Sequence, residues 1–332
     1  MRRAARCFVP LIVALAACGA DPLGGAPPGG DASTPPVDGA PSTDSSVTEL
    51  DSMVIDDGGT PLRTLRLTIG PVRASANEEE TLCVTLPLAV ESDVLIRSIH
   101  TTLTPGTHHV IVYRTTSAPD PTPTPCGSFR GVLSGAAPIF IAQQRDSRLD
   151  FPDGVVLRLR PTETVRLEMH YFNYLGADAD IQGSVDFDVA DGDGRSYVDS
   201  DLLFWGTTSI SLPPRETTTV VDYHDAPSPS PEPIRIFGLT SHTHQYGIRT
   251  TIEAMESASA PAGEVLHESI SWSDPPLTQF APPRELSSGG LRLTCTYMNT
   301  SASFVGFGEG FNNEMCFLWA YYFPSRGFLV SL

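Results

Sequence analysis

The sequence predicts an all-β protein built from two tandem antiparallel β-sandwiches of about 130 residues each. Three observations support this fold class. Val, Thr, Leu and Phe occur in short runs that Pro, Gly and Asp interrupt, and the 332 residues include 30 Pro and 28 Gly. Stretches such as residues 65–69 (Leu-Arg-Leu-Thr-Ile) alternate apolar and polar side chains, as a half-buried strand does. No segment has a 3.6-residue apolar period long enough to predict a major helix.

The first 18 residues are typical of a lipoprotein signal peptide. Three arginines among the first six residues precede an apolar run over residues 8–17, which is too short to cross a bilayer because a spanning helix needs about 20 residues. The run ends in a sequence similar to a bacterial lipobox, in which Cys18 is lipidated and becomes the first residue of the mature chain. A plain signal peptide with a chance cysteine is the alternative. Gly19 gives no signal for retention at an inner membrane, so we expect a lipid-anchored protein of the bacterial cell envelope, at the outer membrane or cell surface.

Residues 19–61 are predicted to be a disordered tether. They are rich in Pro, Gly, Ser and Asp, with eight acidic residues and no basic one, and such a composition buries too little apolar surface to fold. Folded sequence is expected from Leu62 onward. A turn-like Asp-Gly-Asp-Gly at residues 191–194 predicts the domain boundary, which gives an N-terminal sandwich over 62–192 and a C-terminal sandwich over 193–332.

The charge balance limits the partners of the chain. With 21 basic and 39 acidic residues, its formal net charge is −18, which argues against binding to nucleic acid or to an anionic membrane surface. We therefore expect membrane contact only through the lipid anchor. We also expect a monomer.

The cysteines predict two disulfides. Besides Cys7 in the signal segment and Cys18, four cysteines remain, and an even number in an exported chain favours disulfides. These four are Cys83, Cys126, Cys295 and Cys316. Three pairings are possible, and proximity along the chain favours Cys83–Cys126 and Cys295–Cys316.

Residues 241–247 carry the strongest metal-binding pattern. His242 and His244 are two residues apart, so their imidazoles share one face of a strand. Met315 begins a second apolar strand, and a disulfide that ties Cys316 inward would leave the thioether on the other face. A thioether with two imidazoles suits Cu(I) and suits zinc, magnesium or calcium poorly. Taken alone, Met315 is more typical of a core residue.

A second group of histidines lies in the first half of the chain. His108 and His109 are adjacent, so they point to opposite faces of a regular strand unless Pro105 and Gly106 introduce a bend or bulge before them. His170 lies in another predicted strand and offers a third imidazole, although a hydrogen-bonded core residue is the alternative. Three imidazoles suit copper or zinc.

The order of these motifs resembles that of the copper type II, ascorbate-dependent monooxygenases, the family of peptidylglycine α-hydroxylating monooxygenase and dopamine β-monooxygenase. The matching stretches are residues 107–110 (Thr-His-His-Val), 168–171 (Glu-Met-His-Tyr), 242–244 (His-Thr-His) and 313–316 (Asn-Glu-Met-Cys). The likeness runs colinearly over about residues 62–323. It implies two jelly-roll-like sandwiches that face each other across a solvent-filled cleft and bind two copper ions per chain.

The resemblance also assigns the ligands. The electron-transfer copper would be bound by His108, His109 and His170. The copper at which O2 reacts and a substrate C–H bond is hydroxylated would be bound by His242, His244 and Met315. Ascorbate or another one-electron reductant would supply the electrons.

The substrate side departs from the peptide-amidating members. They hold a substrate carboxylate with an Arg before the His-Thr-His motif and with Asn and Tyr after the Met-Cys pair. Residues 240–241 (Thr-Ser), Phe317 and Trp319 occupy those places here, so we expect a small uncharged or aromatic substrate. Phe317, Trp319 and Tyr321 would share a face with Met315, either lining a substrate pocket or filling the sandwich core.

Two other functions remain open. A non-catalytic surface lipoprotein of the same fold could bind copper or a partner, which the long tether and the missing carboxylate clamp would allow. A zinc hydrolase ranks last, because the chain has no His-Glu-x-x-His motif and offers only Glu168 as a weak candidate base.

Overall fold

The computed structural model describes residues 45–55, 61–127, 129, 136–190, 195–228 and 231–332, and for 51–55 and 61 it describes the backbone only. The predicted signal peptide, Cys18 and residues 19–44 of the predicted tether lie outside the described residues. The described chain is all-β, and its sheets pack as sandwiches. This confirms the predicted fold class. Within these ranges no helix has the length and apolarity needed to cross a membrane.

The strands before residue 200 form two sheets, which together make the first sandwich. In spatial order the first sheet contains β1 (Val47–Ile55), β2 (Pro61–Ala74), β11 (Ala179–Ala190), β4 (Val94–Leu103), β9 (Val155–Leu159) and β12 (Val198–Asp199), and β8 (Asp146–Asp150) also pairs with β4. The second sheet contains β6 (Asp120–Pro125), β3 (Glu79–Pro87), β10 (Thr164–Phe172), β5 (Thr107–Thr115) and β7 (Ala137–Ala142). Since β12 pairs with β9, the strand pairing of the first sandwich continues past residue 192 to Asp199.

The strands after residue 200 form the second sandwich. Its first sheet contains β19 (Thr278–Leu286), β16 (Ile234–His242), β22 (Cys316–Phe323), β13 (Asp201–Thr207) and β23 (Leu329–Ser331). Its second sheet contains β15 (Thr217–Asp225), β20 (Gly290–Met298), β17 (Gly247–Met255) and β18 (Glu264–Ser269). A short pair, β14 (Ser211–Leu212) with β21 (Val305–Gly306), lies beside them.

The tether prediction is wrong for its last part. Residues 47–55 form β1, whose pairing with β2 brings Val47 opposite Leu67, and Val47 packs against the core of the first sandwich. Pro and Gly are concentrated before residue 45, so the average composition of residues 19–61 does not represent residues 47–55. The adjacent strand β2 can order this short stretch.

Side-chain alternation along β22 explains how the two sandwiches meet. Successive strand residues point to opposite faces. Cys316, Leu318, Ala320 and Tyr322 belong to the core of the second sandwich. The alternate residues Met315, Phe317, Trp319 and Tyr321 join the apolar cluster of the first sandwich. At this contact the backbone N–H of Ile141 in β7 donates a hydrogen bond to the Tyr321 hydroxyl over 3.1 Å.

Both predicted disulfides are present. Cys83 of β3 is bonded to Cys126 just after β6. Cys295 of β20 is bonded to Cys316 of β22, which joins the two sheets of the second sandwich. Because Cys316 is held inward in this way, Met315 faces the first sandwich, as the sequence predicted.

Candidate metal centre

A β-bulge delivers the two adjacent histidines of the first sandwich to one face. His109 pairs directly with His170, whereas the next paired residues are Thr107 and Tyr171, so His108 is the extra residue of the bulge. Val110 points into its own sandwich, because its Cγ2 lies 2.8 Å from where a Cβ on Gly183 of β11 would be. His109 therefore faces the second sandwich, and the bulge turns His108 toward the same side. The bulge predicted after Pro105 and Gly106 is confirmed.

The five candidate histidines converge into one buried cluster, called here the histidine cluster: His108, His109, His170, His242 and His244. The ring of His108 lies at its centre. Its centroid is 5.0 Å from that of His109, 5.5 Å from His170, 5.4 Å from His242 and 5.6 Å from His244. The rings are at most 9% exposed, so the cluster lies in the contact between the two sandwiches.

The most compact set of ligand atoms mixes the two predicted groups. One nitrogen each of His108, His109 and His242 lies within 4.8 Å of the other two. His108 and His109 come from β5 of the first sandwich, and His242 ends β16 of the second. A metal ion bound by these three residues would therefore have ligands from both sandwiches, whereas the resemblance divides the ligands by sandwich.

Hydrogen bonds fix the orientation of His242. The side-chain amide of Gln143, in the first sandwich, donates to the Ser241 carbonyl over 2.9 Å and to the Thr240 hydroxyl over 3.3 Å. Its Oε1 therefore faces His242 Nδ1, at 2.6 Å, so Nδ1 carries the proton that it donates. His242 Nε2 then has a free lone pair.

His244 and His170 are oriented in the same manner by other acceptors. His244 Nδ1 donates to the Asn313 carbonyl over 3.1 Å, which leaves the lone pair on its Nε2. His170 Nε2 lies 3.0 Å from a carboxylate oxygen of Glu79, so the lone pair of His170 is on Nδ1. Metal-binding histidines in proteins usually donate their other ring N–H to such acceptors.

The buried imidazole nitrogens fit a metal ion. His170 Nδ1, His242 Nε2 and His244 Nε2 have no hydrogen-bond partner, and neither do His108 Nε2 and both nitrogens of His109. A buried polar atom without a partner costs free energy, so a group of them at one place is suited to binding a ligand. Neutral imidazoles are good ligands for copper and zinc.

Burial favours the neutral form of four rings of the cluster. Loss of hydration, together with repulsion by the neighbouring imidazoles, lowers the pKa of His108, His109 and His242 well below the usual value. Burial also lowers the pKa of His244, to about 4. These four rings therefore need not release a proton at neutral pH before they bind a metal.

One carboxylate links the backbone of Met315 to that of His244. The buried carboxylate of Glu314 accepts hydrogen bonds from the backbone N–H groups of His244, at 2.8 Å, and of Met315, at 3.2 Å. Its other oxygen accepts one from Tyr246, at 2.7 Å. Burial raises the pKa of Glu314 to about 7 against these donors. This role of Glu314 was not predicted, and the signal for it in the sequence is its position directly before the candidate ligand Met315.

The candidate substrate residues on β22 belong to the core. Phe317, Trp319 and Tyr321 are at most 3% exposed and pack against the first sandwich. Thr240 and Ser241 are also buried, and Ser241 is hydrogen-bonded to Thr250 and His267. Of the two alternatives left open by the sequence, the structure therefore supports core packing.

A different set of aromatic side chains lines a cavity of about 320 Å³ between the sandwiches, called here the aromatic cavity. Its walls include Phe172 and Tyr174 from the first sandwich and Trp272 and Phe311 from the second, and His108 lies at its inner end. This cavity lies between the sandwiches, where a cleft was predicted, and it reaches His108 of the histidine cluster. These residues were not predicted, because Tyr174, Trp272 and Phe311 lie outside regular strands, where the side-chain alternation of a strand does not apply.

Comparisons with known proteins assign neither a family nor a function. No family model matches the chain, and no curated protein matches it. Among solved structures, naturally occurring empty particles of Cowpea mosaic virus give 9% identity over 75% of this chain and 89% of the other, with a TM-score of 0.27. A putative secreted protein from Eubacterium rectale gives 10% identity, with 78% and 75% covered and a TM-score of 0.24. PBCV-1 VP54 gives 9% identity, with 85% and 94% covered and a TM-score of 0.24. Values this low do not support any inference about the chain.

Proposed function

We propose that the protein is a copper-dependent monooxygenase that hydroxylates a C–H bond of a small, uncharged or aromatic substrate. The reaction R–H + O2 + 2 e⁻ + 2 H⁺ → R–OH + H2O takes its electrons from an external one-electron reductant such as ascorbate. The observation that carries the proposal is the convergence of five buried imidazoles, each with at least one unpartnered nitrogen, beside the backbone of Met315.

The donor set favours copper over other metals. Imidazole nitrogens with one thioether are soft to borderline ligands, and a cluster without a carboxylate ligand offers little to magnesium or calcium. Copper held there would activate O2 and pass electrons one at a time. We propose two coppers per chain, because the free lone pairs of His170 and His244 add to those of His108, His109 and His242.

The protein around the cluster would contribute to the reaction by orienting the rings, excluding water and admitting the substrate. Gln143, Asn313 and Glu79 hold three of the rings with their lone pairs inward, so little reorganisation is needed when a metal binds. The apolar surroundings exclude water from the rings, which suppresses side reactions of reduced oxygen species. The neighbouring aromatic cavity gives a substrate access to His108.

The experiment combines copper analysis with O2 consumption in the presence of ascorbate. We expect about two coppers per folded chain and an O2 uptake that depends on the reductant. Met315→Ala should abolish hydroxylation and leave copper bound by histidines, because it removes only the thioether. The exposed Met298 provides a matched control, so Met298→Ala should change nothing. Hydroxylation that survives Met315→Ala contradicts the assignment of Met315 as a ligand. Well under two coppers with no uptake contradicts the proposed function.

A non-catalytic copper-binding lipoprotein is the second candidate. The observation that favours it is the depth of the cluster, since His109, His242 and His244 are at most 1% exposed. Such a site could hold copper tightly while limiting its reaction with O2. In that case the copper would bind at the same residues, but ascorbate would cause no O2 uptake above that of the metal-free chain.

A further inference from the structure

The aromatic cavity has the size and chemistry of a small-molecule site. Its volume of about 320 Å³ lies at the lower end of the range for ligand pockets, roughly 300–1,000 Å³. We propose that it binds one small, uncharged molecule carrying an aromatic ring and presents that molecule to the histidine cluster. This inference rests on the proposed function, because it identifies the substrate class and the substrate-binding residues of the same site.

The cavity walls are arranged to stack on a ring. Phe172 and Phe311 are nearly parallel, with centroids 4.9 Å apart and an interplanar angle of 24°. Trp272 meets Phe311 edge to face at 5.3 Å, and its centroid is 5.6 Å from that of His108. Tyr174 is 64% exposed at the cavity. Aromatic walls at these separations favour a flat apolar guest, which could stack in the same offset or edge-to-face geometries.

The polarity of the cavity disfavours binding of a charged ligand. Among the described residues that line it, none is Asp, Glu, Lys or Arg, and the polar side chains are Thr107, Ser273, Tyr174 and His108. Hydroxyl groups can hydrogen-bond a neutral oxygen or nitrogen but cannot neutralise a carboxylate or an ammonium group. A guest with a full charge would lose hydration without a compensating ion pair.

Glu79 is the carboxylate held next to the cavity wall, and one of its oxygens is hydrogen-bonded within the protein. This oxygen lies 3.0 Å from His170 Nε2, and the same oxygen accepts the backbone N–H of Phe311 at 2.7 Å. Glu79 is not among the described residues that line the cavity, so it offers no ion pair to an ammonium group there.

The wall that carries Phe311 is fixed before any ligand binds. Besides the bond from Phe311 N–H to Glu79, the Gln245 side-chain amide donates to the Phe311 carbonyl over 3.2 Å and to Asn312 Oδ1 over 2.7 Å. Since Glu79 contacts both His170 and the Phe311 N–H, the wall and one ring of the cluster share a support. A preformed wall costs less entropy on binding than a mobile one. Phe311 thus lines the cavity, and its backbone is hydrogen-bonded to the carboxylate that also contacts His170.

Calorimetric titration of the copper-loaded full-length protein with 2-phenylethanol tests the proposal, without a reductant so that no turnover occurs. Two charged analogues of the same ring, phenylacetate and 2-phenylethylammonium, serve as probes of polarity. We expect 2-phenylethanol to bind at least about tenfold more tightly than either analogue, as loss of hydration without an ion pair requires. Absent binding of 2-phenylethanol, or equal or tighter binding of a charged analogue, would overturn the proposal.

Variants locate the binding site. Phe311→Ala and Trp272→Ala should each weaken 2-phenylethanol binding about tenfold through the loss of ring contacts. Trp272→Phe should retain most of the affinity, which separates a lost contact from a folding defect. Phe304 is 70% exposed and does not line the cavity, so Phe304→Ala is the matched control and should bind normally. Unchanged binding in both alanine variants would place the probe elsewhere and overturn the assignment.

The outcome also separates this inference from the proposed function. If 2-phenylethanol binds as expected but reductant-dependent O2 uptake never occurs, the cavity assignment holds and the monooxygenase proposal fails. If the protein consumes O2 with ascorbate but no probe responds to the cavity variants, the monooxygenase proposal holds and the cavity assignment fails.

Discussion

The two sandwiches bring their histidines to the same cluster by different means. In the first, His109 and His170 lie opposite each other on paired central strands, and a bulge adds His108. In the second, His242 is the last residue of β16 and His244 lies in the turn that follows. The first group therefore lies within paired strands, whereas the second lies at or just beyond a strand end, where side-chain hydrogen bonds contribute more to its position.

This difference determines where the site can be perturbed. A residue fixed by strand register moves only if the sheet moves, because the ladder hydrogen bonds and the core constrain it. A ring at or beyond the end of a strand depends more on a few side-chain contacts, such as Gln143 with His242 and Glu314 with the backbone of His244. We therefore expect changes of support residues to affect the second group more than the first, and changes of ligands to affect both.

The largest expected effect comes from removing the central ring. His108→Ala eliminates the imidazole that contacts the four others at 5.0–5.6 Å and should lower copper affinity by about two orders of magnitude or more. Competition with a chelator of known affinity measures it. His100 is a half-buried histidine of the same sandwich that pairs with Asp146, so His100→Ala is the control. If both variants bind copper like the parent, His108 is not a ligand.

A smaller loss is expected when a support of the second group is removed. Gln143→Leu keeps a similar volume but deprives His242 Nδ1 of its acceptor and Ser241 of its donor, which should lower copper affinity about 10- to 100-fold. The neighbouring Gln144 contacts the exposed Asp274, so Gln144→Leu should bind copper normally. Equal affinities for the two variants would show that strand pairing alone orients His242, and the contrast between the sandwiches would be lost.

The strand before His242 has a further support in His267, and this support predicts a pH effect on stability. His267 lies 3.0 Å from the Ser241 hydroxyl and 2.9 Å from that of Thr278, and burial lowers its pKa to about 4. The unfolded chain takes up this proton near pH 6.5 and the folded chain only near pH 4. The contribution of His267 to stability is therefore complete above pH 6.5 and falls by on the order of 3 kcal/mol as the pH drops to 4.

The variant His267→Gln isolates the contribution of His267 to the pH dependence of the free energy of unfolding. Its free energy of unfolding should be lower than that of the parent at pH 7, because a buried hydrogen-bonded ring is lost, and the difference should shrink toward pH 4. Denaturant unfolding of the metal-free chain at several pH values between 4 and 7 measures it. A difference that stays constant over this range would mean that His267 titrates alike in the folded and unfolded chains.

The sequence was most informative where side-chain alternation and pairing are local. It predicted the two faces of β22, because Cys316 and Met315 are adjacent and one of them is held by a disulfide. It also predicted the bulge at His108 from Pro105 and Gly106. Both predictions use neighbouring residues, so they needed no knowledge of the rest of the fold.

The sequence was less informative where distant segments meet. The contact of Gln143 with His242 joins residues 99 positions apart, and no local pattern marks Gln143 as a support residue. The same limit applies to Trp272 and Phe311, which form one wall of the aromatic cavity from two separate loops. The resemblance divided the histidines between two sites, and only the packing of the sandwiches brings His242 within reach of His108 and His109.

The smallest expected effect is a difference in proton position between the two groups, and it needs no mutation. The acceptors at His242 and His244 face Nδ1, so in the metal-free chain these rings should be protonated at Nδ1. The acceptor at His170 faces Nε2, so this ring should be protonated at Nε2. The ring nitrogen with the free lone pair, and hence the ligand atom, would therefore differ between the sandwiches.

Nitrogen-15 NMR of the imidazoles distinguishes the two tautomers by the chemical shifts of the protonated and unprotonated ring nitrogens. At neutral pH we expect the Nδ1–H form for His242 and His244 and the Nε2–H form for His170. On addition of Cu(I), His242 Nε2, His244 Nε2 and His170 Nδ1 should show the larger shift changes, because they are the unprotonated atoms. If all three rings had the same tautomer, the hydrogen bonds to Gln143, Asn313 and Glu79 would not be what orients them, and the supports of the two sandwiches would be equivalent.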